Sequence, residues 1–170
     1  MRAVSRGPLL IFALCAALML AVAGCGSSSS DSSTESTSAP SSDVSTNLKV
    51  KPKVTVPSGA PPKELEEIEV VEGEGAEAKS GDKVTVQYVG VGYESEQEFD
   101  SSWSRSEPFP FTLGAGEVIK GWDQGIAGMK VGGRRELIIP PNLAYGPTGS
   151  PPVIGANETL IFVVDLLAVK

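Results

Sequence analysis

The stretch Phe109-Pro-Phe-Thr-Leu-Gly-Ala-Gly-Glu-Val-Ile-Lys-Gly-Trp-Asp-Gln-Gly125 decides how the rest of the 170-residue chain is read. Ile119 and Trp122, followed by Ile126 and Met129, recur at intervals of three or four, which predicts one apolar stripe on a short helix. Gly121, Gly125 and Gly128 each cost a helix interior roughly 1 kcal/mol against alanine, so packing and not propensity must keep the segment helical. Trp122 by itself reads as ordinary core. What raises a functional reading is its company, since Tyr88, Phe99, Phe109, Tyr145 and Phe162 all fall in or beside segments expected to pack near this helix.

Moving outward towards the C-terminus, Met129 to Gly133 read as a turn, Arg134 to Ile139 as a strand stopped by Pro140-Pro141, and 142–155 as a loop rich in Gly and Pro. Thr159 to Val169 is β-prone and uncharged apart from Asp165, as a central strand should be. Towards the N-terminus, Val84-Thr85-Val86-Gln87-Tyr88-Val89 alternates with period two, the mark of a strand half covered by core, and Gly90 and Gly92 end or bend it. Leu65, Ile68 and Val70 against Glu64, Glu66, Glu67 and Glu69 suggest an edge strand with its charges in water. The expected fold is therefore α+β: a curved antiparallel sheet of five or six strands wrapped over one short α-helix.

Ahead of residue 63 the composition changes. Arg2 and Arg6 precede an uncharged apolar run, Leu9 to Ala23, which is short for a membrane span and matches a secretory signal. It ends Val22-Ala23-Gly24-Cys25, an aliphatic residue, two small ones and Cys, the pattern at which bacterial signal peptides are cleaved and the Cys acquires lipid. Residues 1–24 are expected to be a lipoprotein signal peptide, with Cys25 lipidated and the domain held on the extracytoplasmic side of the cell membrane. Residues 25–62, rich in Ser and then Pro, are expected to form a disordered tether, and 63–170 the folded domain. As a flexible coil, about 37 residues reach on the order of 35 Å, enough to hold a small domain clear of the membrane.

Charge and composition exclude several function classes. Removing the signal takes Arg2 and Arg6 from the fourteen basic residues and leaves all twenty-one acidic ones, an acidic balance that argues against nucleic acid or an anionic lipid surface as partner. There is no histidine, which removes the commonest general base and most zinc sites. Cys15 leaves with the signal and Cys25 carries lipid, so no thiol remains for a disulfide, a metal or a nucleophile. The acidic run Glu94, Glu96, Glu98 and Asp100 could suggest a carboxylate pair, although one exposed acidic turn is more often solvated. Gly114-Ala115-Gly116 begins like a dinucleotide fingerprint, but Ile119 occupies the place of the third glycine. Gly116 to Gly121 imitates a phosphate loop, yet Trp122 replaces its lysine.

Taken together, Gly81-Asp82, Val84 to Tyr88, Phe99-Asp100-Ser101-Ser102, Arg105, Pro108-Phe109, Leu113-Gly114, Glu117-Val118-Ile119, Gly121-Trp122, Ala144-Tyr145-Gly146 and Thr159-Leu160-Ile161-Phe162 closely resemble the FKBP-type peptidyl-prolyl cis-trans isomerases, which bind tacrolimus and rapamycin. The resemblance runs in order from about Glu64 to Lys170. It implies an enzyme that speeds rotation about X-Pro bonds in extracytoplasmic protein folding, a monomer needing no cofactor and no metal, with X-Pro segments of secreted clients as partners. Position by position, it implies that Tyr88, Phe99, Asp100, Phe109, Trp122, Tyr145 and Phe162 form the catalytic pocket, with Arg105, Glu117, Val118, Ile119 and Ile154 binding substrate. Trp122 is then the floor under the proline ring, while the Ile119 N–H and the Tyr145 hydroxyl hold carbonyls of the bound chain. Ser150 stands where familiar members carry a histidine, in a loop that shapes the pocket rim and so bears on substrate preference. The chemistry suits a chain without His or free Cys. Rotation of an X-Pro amide faces a barrier of roughly 18–20 kcal/mol because resonance is lost, and no bond has to break. The rival class is a binding module or holding chaperone that clasps Pro-containing segments on the same fold without catalysing anything. Asp100 also has a plainer use, capping the Ser101-Ser102 turn.

Overall fold

A computed structural model of the chain describes residues 44–170; the predicted signal, Cys25 and the serine-rich stretch 26–43 lie outside the described residues. Two units divide the chain at residues 37 and 38, and every described residue belongs to the second. Its elements, in chain order, are β1 (Glu66–Val71), β2 (Lys83–Gly92), β3 (Glu98–Ser101), α1 (Ser102–Arg105), β4 (Phe109–Thr112), α2 (Lys120–Gly125), β5 (Arg134–Ile139), a single turn of 3₁₀ helix (Pro141–Leu143) and β6 (Leu160–Val169). The six strands make one antiparallel sheet in the order β1-β5-β6-β2-β3, with β4 also paired to β2.

Alternation along the strands sorts side chains onto two faces. Val84, Val86 and Tyr88 of β2, Leu137 and Ile139 of β5, and Leu160, Phe162, Val164 and Leu166 of β6 point towards α2, where they bury Trp122, Ile126 and Met129 in the main core. The helix can lie that close because it is bare there. A Cβ on Gly121 would come within 2.4 Å of Ile139 Cγ2, and one on Gly125 within 2.6 Å of Leu137 Cδ2. The glycines that weaken α2 as a helix are thus the ones that let it touch the sheet. It is also shorter than the apolar stripe suggests: Ile126 is the C-cap and Met129 lies beyond the end, after Gly128 at φ +81°.

The opposite face carries Ile138, Ile161 and Tyr93 and, further along β5 and β6, a pair that the sequence reading left unremarked. Arg134 and Asp165 are register partners on β5 and β6, both buried, and join through two bonds, Nε to Oδ1 at 2.5 Å and Nη2 to Oδ2 at 2.7 Å. Taking two charges out of water is costly unless their remaining hydrogen-bonding groups are met. Here the remaining donors of Arg134 reach the backbone carbonyls of Ser45 (2.5 Å) and Val50 (3.2 Å).

Those carbonyls belong to the stretch expected to be tether. Residues 44–62 form no strand, in keeping with their prolines, but from Val44 onward the chain is held against the sheet instead of trailing free. Val44 and Pro52 are buried, Val54 and Val56 pack on the cluster of Tyr93, Ile138 and Ile161, and the Tyr93 hydroxyl donates to the Pro57 carbonyl at 3.1 Å. The physical reason is that this face of the sheet is too apolar to be left wet, and the alternating valines of the segment are its cover.

At the edges, β1 is the expected charged border strand, with Glu67 and Glu69 exposed and both joined to Arg135 of β5. At the other end, β2 runs through Gly90 to Gly92 and the register with β3 slips between Gly90 and Val91, which leaves Phe99 as the extra residue of a bulge. A second helix, α1, follows, capped by the Ser101 hydroxyl on the Ser104 N–H and closed by Ser106 in the left-handed region. Its serine-rich sequence carries no apolar period, which is why the sequence leads to one helix where there are two.

Candidate functional site

The cavity opens on the α2 side of the sheet and has a volume of about 520 Å³. Eleven of the twelve pocket residues named from the sequence line it: Tyr88 from β2, Phe99 and Asp100 from β3, Arg105 from α1, Phe109 from β4, Glu117, Val118 and Ile119 from the loop before α2, Trp122 from α2, Tyr145 from the loop after β5, and Phe162 from β6. The twelfth, Ile154, does not line it; it is buried within the main core beneath the loop. A sequence position cannot say whether an aliphatic side chain in an irregular loop turns to the cavity or to the core, and here the core takes it.

Trp122 is the hub of the aromatic set. Tyr88 meets it edge-on at 5.0 Å between ring centres, Phe162 edge-on at 5.1 Å and Phe109 at 6.2 Å, while Phe99 stands edge-on to Phe162 at 5.5 Å. Such edge-to-face contacts lock the rings in orientation beyond what buried area alone does. Gly90 is required beneath them, since a Cβ there would lie 2.7 Å from Phe99 and 2.8 Å from Phe162. Trp122 is 4% exposed and packs in the main core, and it also lines the cavity.

Opposite the hydrocarbon lies one polar corner. The Tyr88 hydroxyl donates to Asp100 Oδ2 at 2.5 Å, Arg105 Nη2 donates to the Tyr88 oxygen at 2.7 Å, and Arg105 Nη1 reaches Asp100 Oδ1. The plainer use of Asp100 is present too, because Oδ1 also accepts the Ser101 N–H at 2.8 Å. Burial pushes the Asp100 carboxyl up, but the hydrogen bonds from Tyr88 and Arg105, and the charge of Arg105, outweigh it and hold the group below the ordinary aspartate range. Tyr88 moves the other way: burial raises its phenol, and the bond to Asp100 raises it further.

The sequence reading assigns no role of their own to two supporting residues, Ser102 and Asp123. Ser102, fully buried, accepts the Tyr88 N–H at 2.8 Å and donates to the Gln87 side chain, pinning the end of β3 to β2. Asp123 receives the N–H groups of Gly114 (2.8 Å) and Gly116 (3.1 Å), and Glu117 receives that of Thr112 (2.9 Å), so the loop carrying Val118 and Ile119 is tied at both ends. An Asp one residue past a motif tryptophan, with two glycines shortly before it, was the available signal for the loop tie. Neither the Ile119 N–H nor the Tyr145 hydroxyl, which is on an exposed residue, has a protein partner among the described residues.

With this geometry in view, the likeness to known proteins is direct. The sequence profile of FKBP-type peptidyl-prolyl cis-trans isomerases matches residues 74–167. The FK506-binding protein of Streptomyces anulatus is 56% identical over 120 residues, 70% of this chain and 97% of that protein. A probable FK506-binding protein of Corynebacterium glutamicum is 50% identical over 118 residues, 69% of this chain and 98% of its own. The peptidyl-prolyl cis-trans isomerase FPR2 of Saccharomyces cerevisiae is 56% identical over 93 residues, 55% of this chain and 69% of that one. Among solved structures, AtFKBP13 superposes with a TM-score of 0.58 at 39% identity, covering 62% of this chain and 93% of its own. FkpA from Escherichia coli gives 0.57 at 44% identity over 62% of this chain and 48% of FkpA. The chain belongs to the FKBP-type peptidyl-prolyl cis-trans isomerase family, and its activity is that of the family.

Proposed function

We propose that the aromatic cavity binds the prolyl side chain of an X-Pro segment over Trp122 and lets the preceding amide rotate with no covalent step. The observation that carries this reading is that six rings, those of Tyr88, Phe99, Phe109, Trp122, Tyr145 and Phe162, share one opening to solvent. A proline ring is apolar and rigid, so an aromatic floor and walls accept it at small entropic cost. The twisted amide is less delocalised and its carbonyl less polar than in the planar state, so a largely hydrocarbon site favours it over the ground state. The Ile119 N–H and the Tyr145 hydroxyl, uncommitted among the described residues, would hold carbonyls of the bound chain and fix its direction. Asp100 and Arg105 keep Tyr88 in orientation and give the wall its one polar corner.

The same cavity is proposed to take FK506, as the names of the Streptomyces and Corynebacterium relatives record for those proteins. We further propose that the chain is a lipoprotein anchored through Cys25, acting on secreted clients outside the cytoplasm; the support is the Val22-Ala23-Gly24-Cys25 sequence after a charged start and an apolar run.

The test is the rate of cis-to-trans conversion of a short X-Pro peptide with the wild-type chain, Trp122→Ala and Phe109→Ala, each checked for a folded far-ultraviolet spectrum. Loss of a central aromatic contact is expected to cost about 2 kcal/mol or more, roughly thirtyfold, in FK506 affinity and in turnover together. Unchanged binding in both folded variants would remove the cavity from the reading. FK506 binding without any acceleration by wild type would leave a binding module.

A further inference from the structure

β3 is a poor element on which to build half a binding wall. It has four residues, lies at the sheet edge, and is bulged at Phe99, so few ladder bonds fix Phe99 and Asp100 in place. The helix that follows is a single turn ending in Arg105. Ser102 secures the junction of the two from the sheet side. Their outer ends meet directly, with Ser104 Oγ donating to Glu98 Oε1 at 3.4 Å, and a group from far away in sequence joins both. Lys51 Nζ donates to Glu98 Oε1 at 2.7 Å and to Ser104 Oγ at 3.2 Å. Glu98 opens β3, two residues before Asp100, and Ser104 immediately precedes Arg105 in α1. One ammonium therefore ties together the two elements that carry the polar corner of the cavity.

Lys51 can do this because its own backbone is anchored on the other face of the sheet. To its N-terminal side, the Ser45 and Val50 carbonyls accept from Arg134; to its C-terminal side, Pro52 is buried, Val54 and Val56 cover the apolar cluster, and the Pro57 carbonyl accepts from Tyr93. We propose that residues 44–57 form a strap and that Lys51 is a positioning residue, bracing β3 against α1 so that Asp100 and Arg105 hold Tyr88 at the cavity wall. The working unit of this isomerase then includes residues 44–57 and does not start at β1. The inference rests on the assignment of the cavity as the ligand site, so the two are tested side by side.

In the full chain, FK506 affinity and kcat/KM on an X-Pro peptide are measured for Lys51→Met, Lys51→Arg, Glu98→Gln, the double variant Lys51→Met with Glu98→Gln, Lys130→Met and Trp122→Ala. Half-exposed ion pairs are worth little, so Lys51→Met is expected to lose roughly two- to fivefold in both quantities. Lys51→Arg is expected to restore them, and the double variant to fall no further than either single one. Lys130→Met removes another surface ion pair, that with Glu72, and reports what a merely structural loss does; it is expected to leave both quantities as they are. Wild-type affinity and turnover in Lys51→Met, failure of Lys51→Arg to restore them, or an equal loss in Lys130→Met overturns the positioning role while Trp122→Ala still loses binding. Full binding in a folded Trp122→Ala overturns the cavity assignment and the strap's role with it.

Discussion

Asp100 serves three neighbours with its two oxygens, Tyr88 through Oδ2 and both Arg105 and the Ser101 N–H through Oδ1, and that arrangement makes it sensitive to pH in a direction that can be worked out. Its carboxyl is held below the ordinary aspartate value, so the charged form is bound into the folded corner more favourably than it is solvated in the unfolded chain. The contribution is fully present above the ordinary value of about 3.9 and is lost only as pH falls through the lower value of the folded state. FK506 affinity is therefore expected to stay level from neutrality down to about pH 4 and to drop below it. Asp100→Asn should show a level profile through that range, set lower by roughly fivefold, which is about 1 kcal/mol once the partial exposure of the pair is allowed for. A wild-type decline beginning well above the aspartate range, or an Asp100→Asn profile that still falls on acidification, would show that another group governs the corner.

At the scale of the element, α2 reverses the usual rule for glycine in helices. Replacing a helical glycine by alanine ordinarily adds up to about 1 kcal/mol of stability. At Gly121 the new methyl carbon would sit 2.4 Å from Ile139 Cγ2 and 2.9 Å from its Cδ1. Ile139 is fully buried and β-branched, so it cannot rotate away without opening the core around it. Overpacking of this kind costs about 1–3 kcal/mol, which outweighs the propensity gain. Gly121→Ala is expected to lower the stability by a net of up to about 2 kcal/mol, read as a lower urea midpoint with the denaturant slope unchanged. Lifting α2 from β5 also moves Trp122, so FK506 affinity should fall in the same variant. A Gly121→Ala chain at least as stable as wild type would mean that α2 does not press on the sheet as closely as the geometry requires.

For the whole molecule, the sheet divides the labour between its faces. One face carries the cavity and its aromatic core, and the other carries the buried Arg134–Asp165 pair under the strap. The described chain thus enters the domain on the side away from Trp122, and the lipid anchor proposed for Cys25 precedes it in sequence. On that arrangement, Cys25→Ser is expected to move the protein from the membrane fraction to the soluble fraction of the producing bacterium while leaving the peptide-isomerisation rate of the purified chain as it was. Identical fractionation of the two chains would refute the anchor. Membrane binding by an acylated chain is carried by burial of the acyl groups, so no second contact is needed to explain it.

Much of this protein was set by local sequence. Alternation in 84–89, the continuous β-prone run of 159–169, the glycines and prolines that punctuate the loops, and the spacing of Ile119 and Trp122 determined the strands, the helix position and which aromatics could meet, because those signals act between neighbours along the chain. They do not carry the direction in which a loop residue turns, and so Ile154 went to the core. Nor do they mark α1, whose serines cap and close a turn without any apolar period. Least visible were the contacts with long sequence separation. The pairing of Arg134 with Asp165 shows only once β5 and β6 lie side by side, and residues 44–57 read as tether until the apolar back of the sheet gives their valines something to cover. Tertiary structure alone decided these, since the free energy that orders such a segment comes from a surface that does not exist until the sheet has formed.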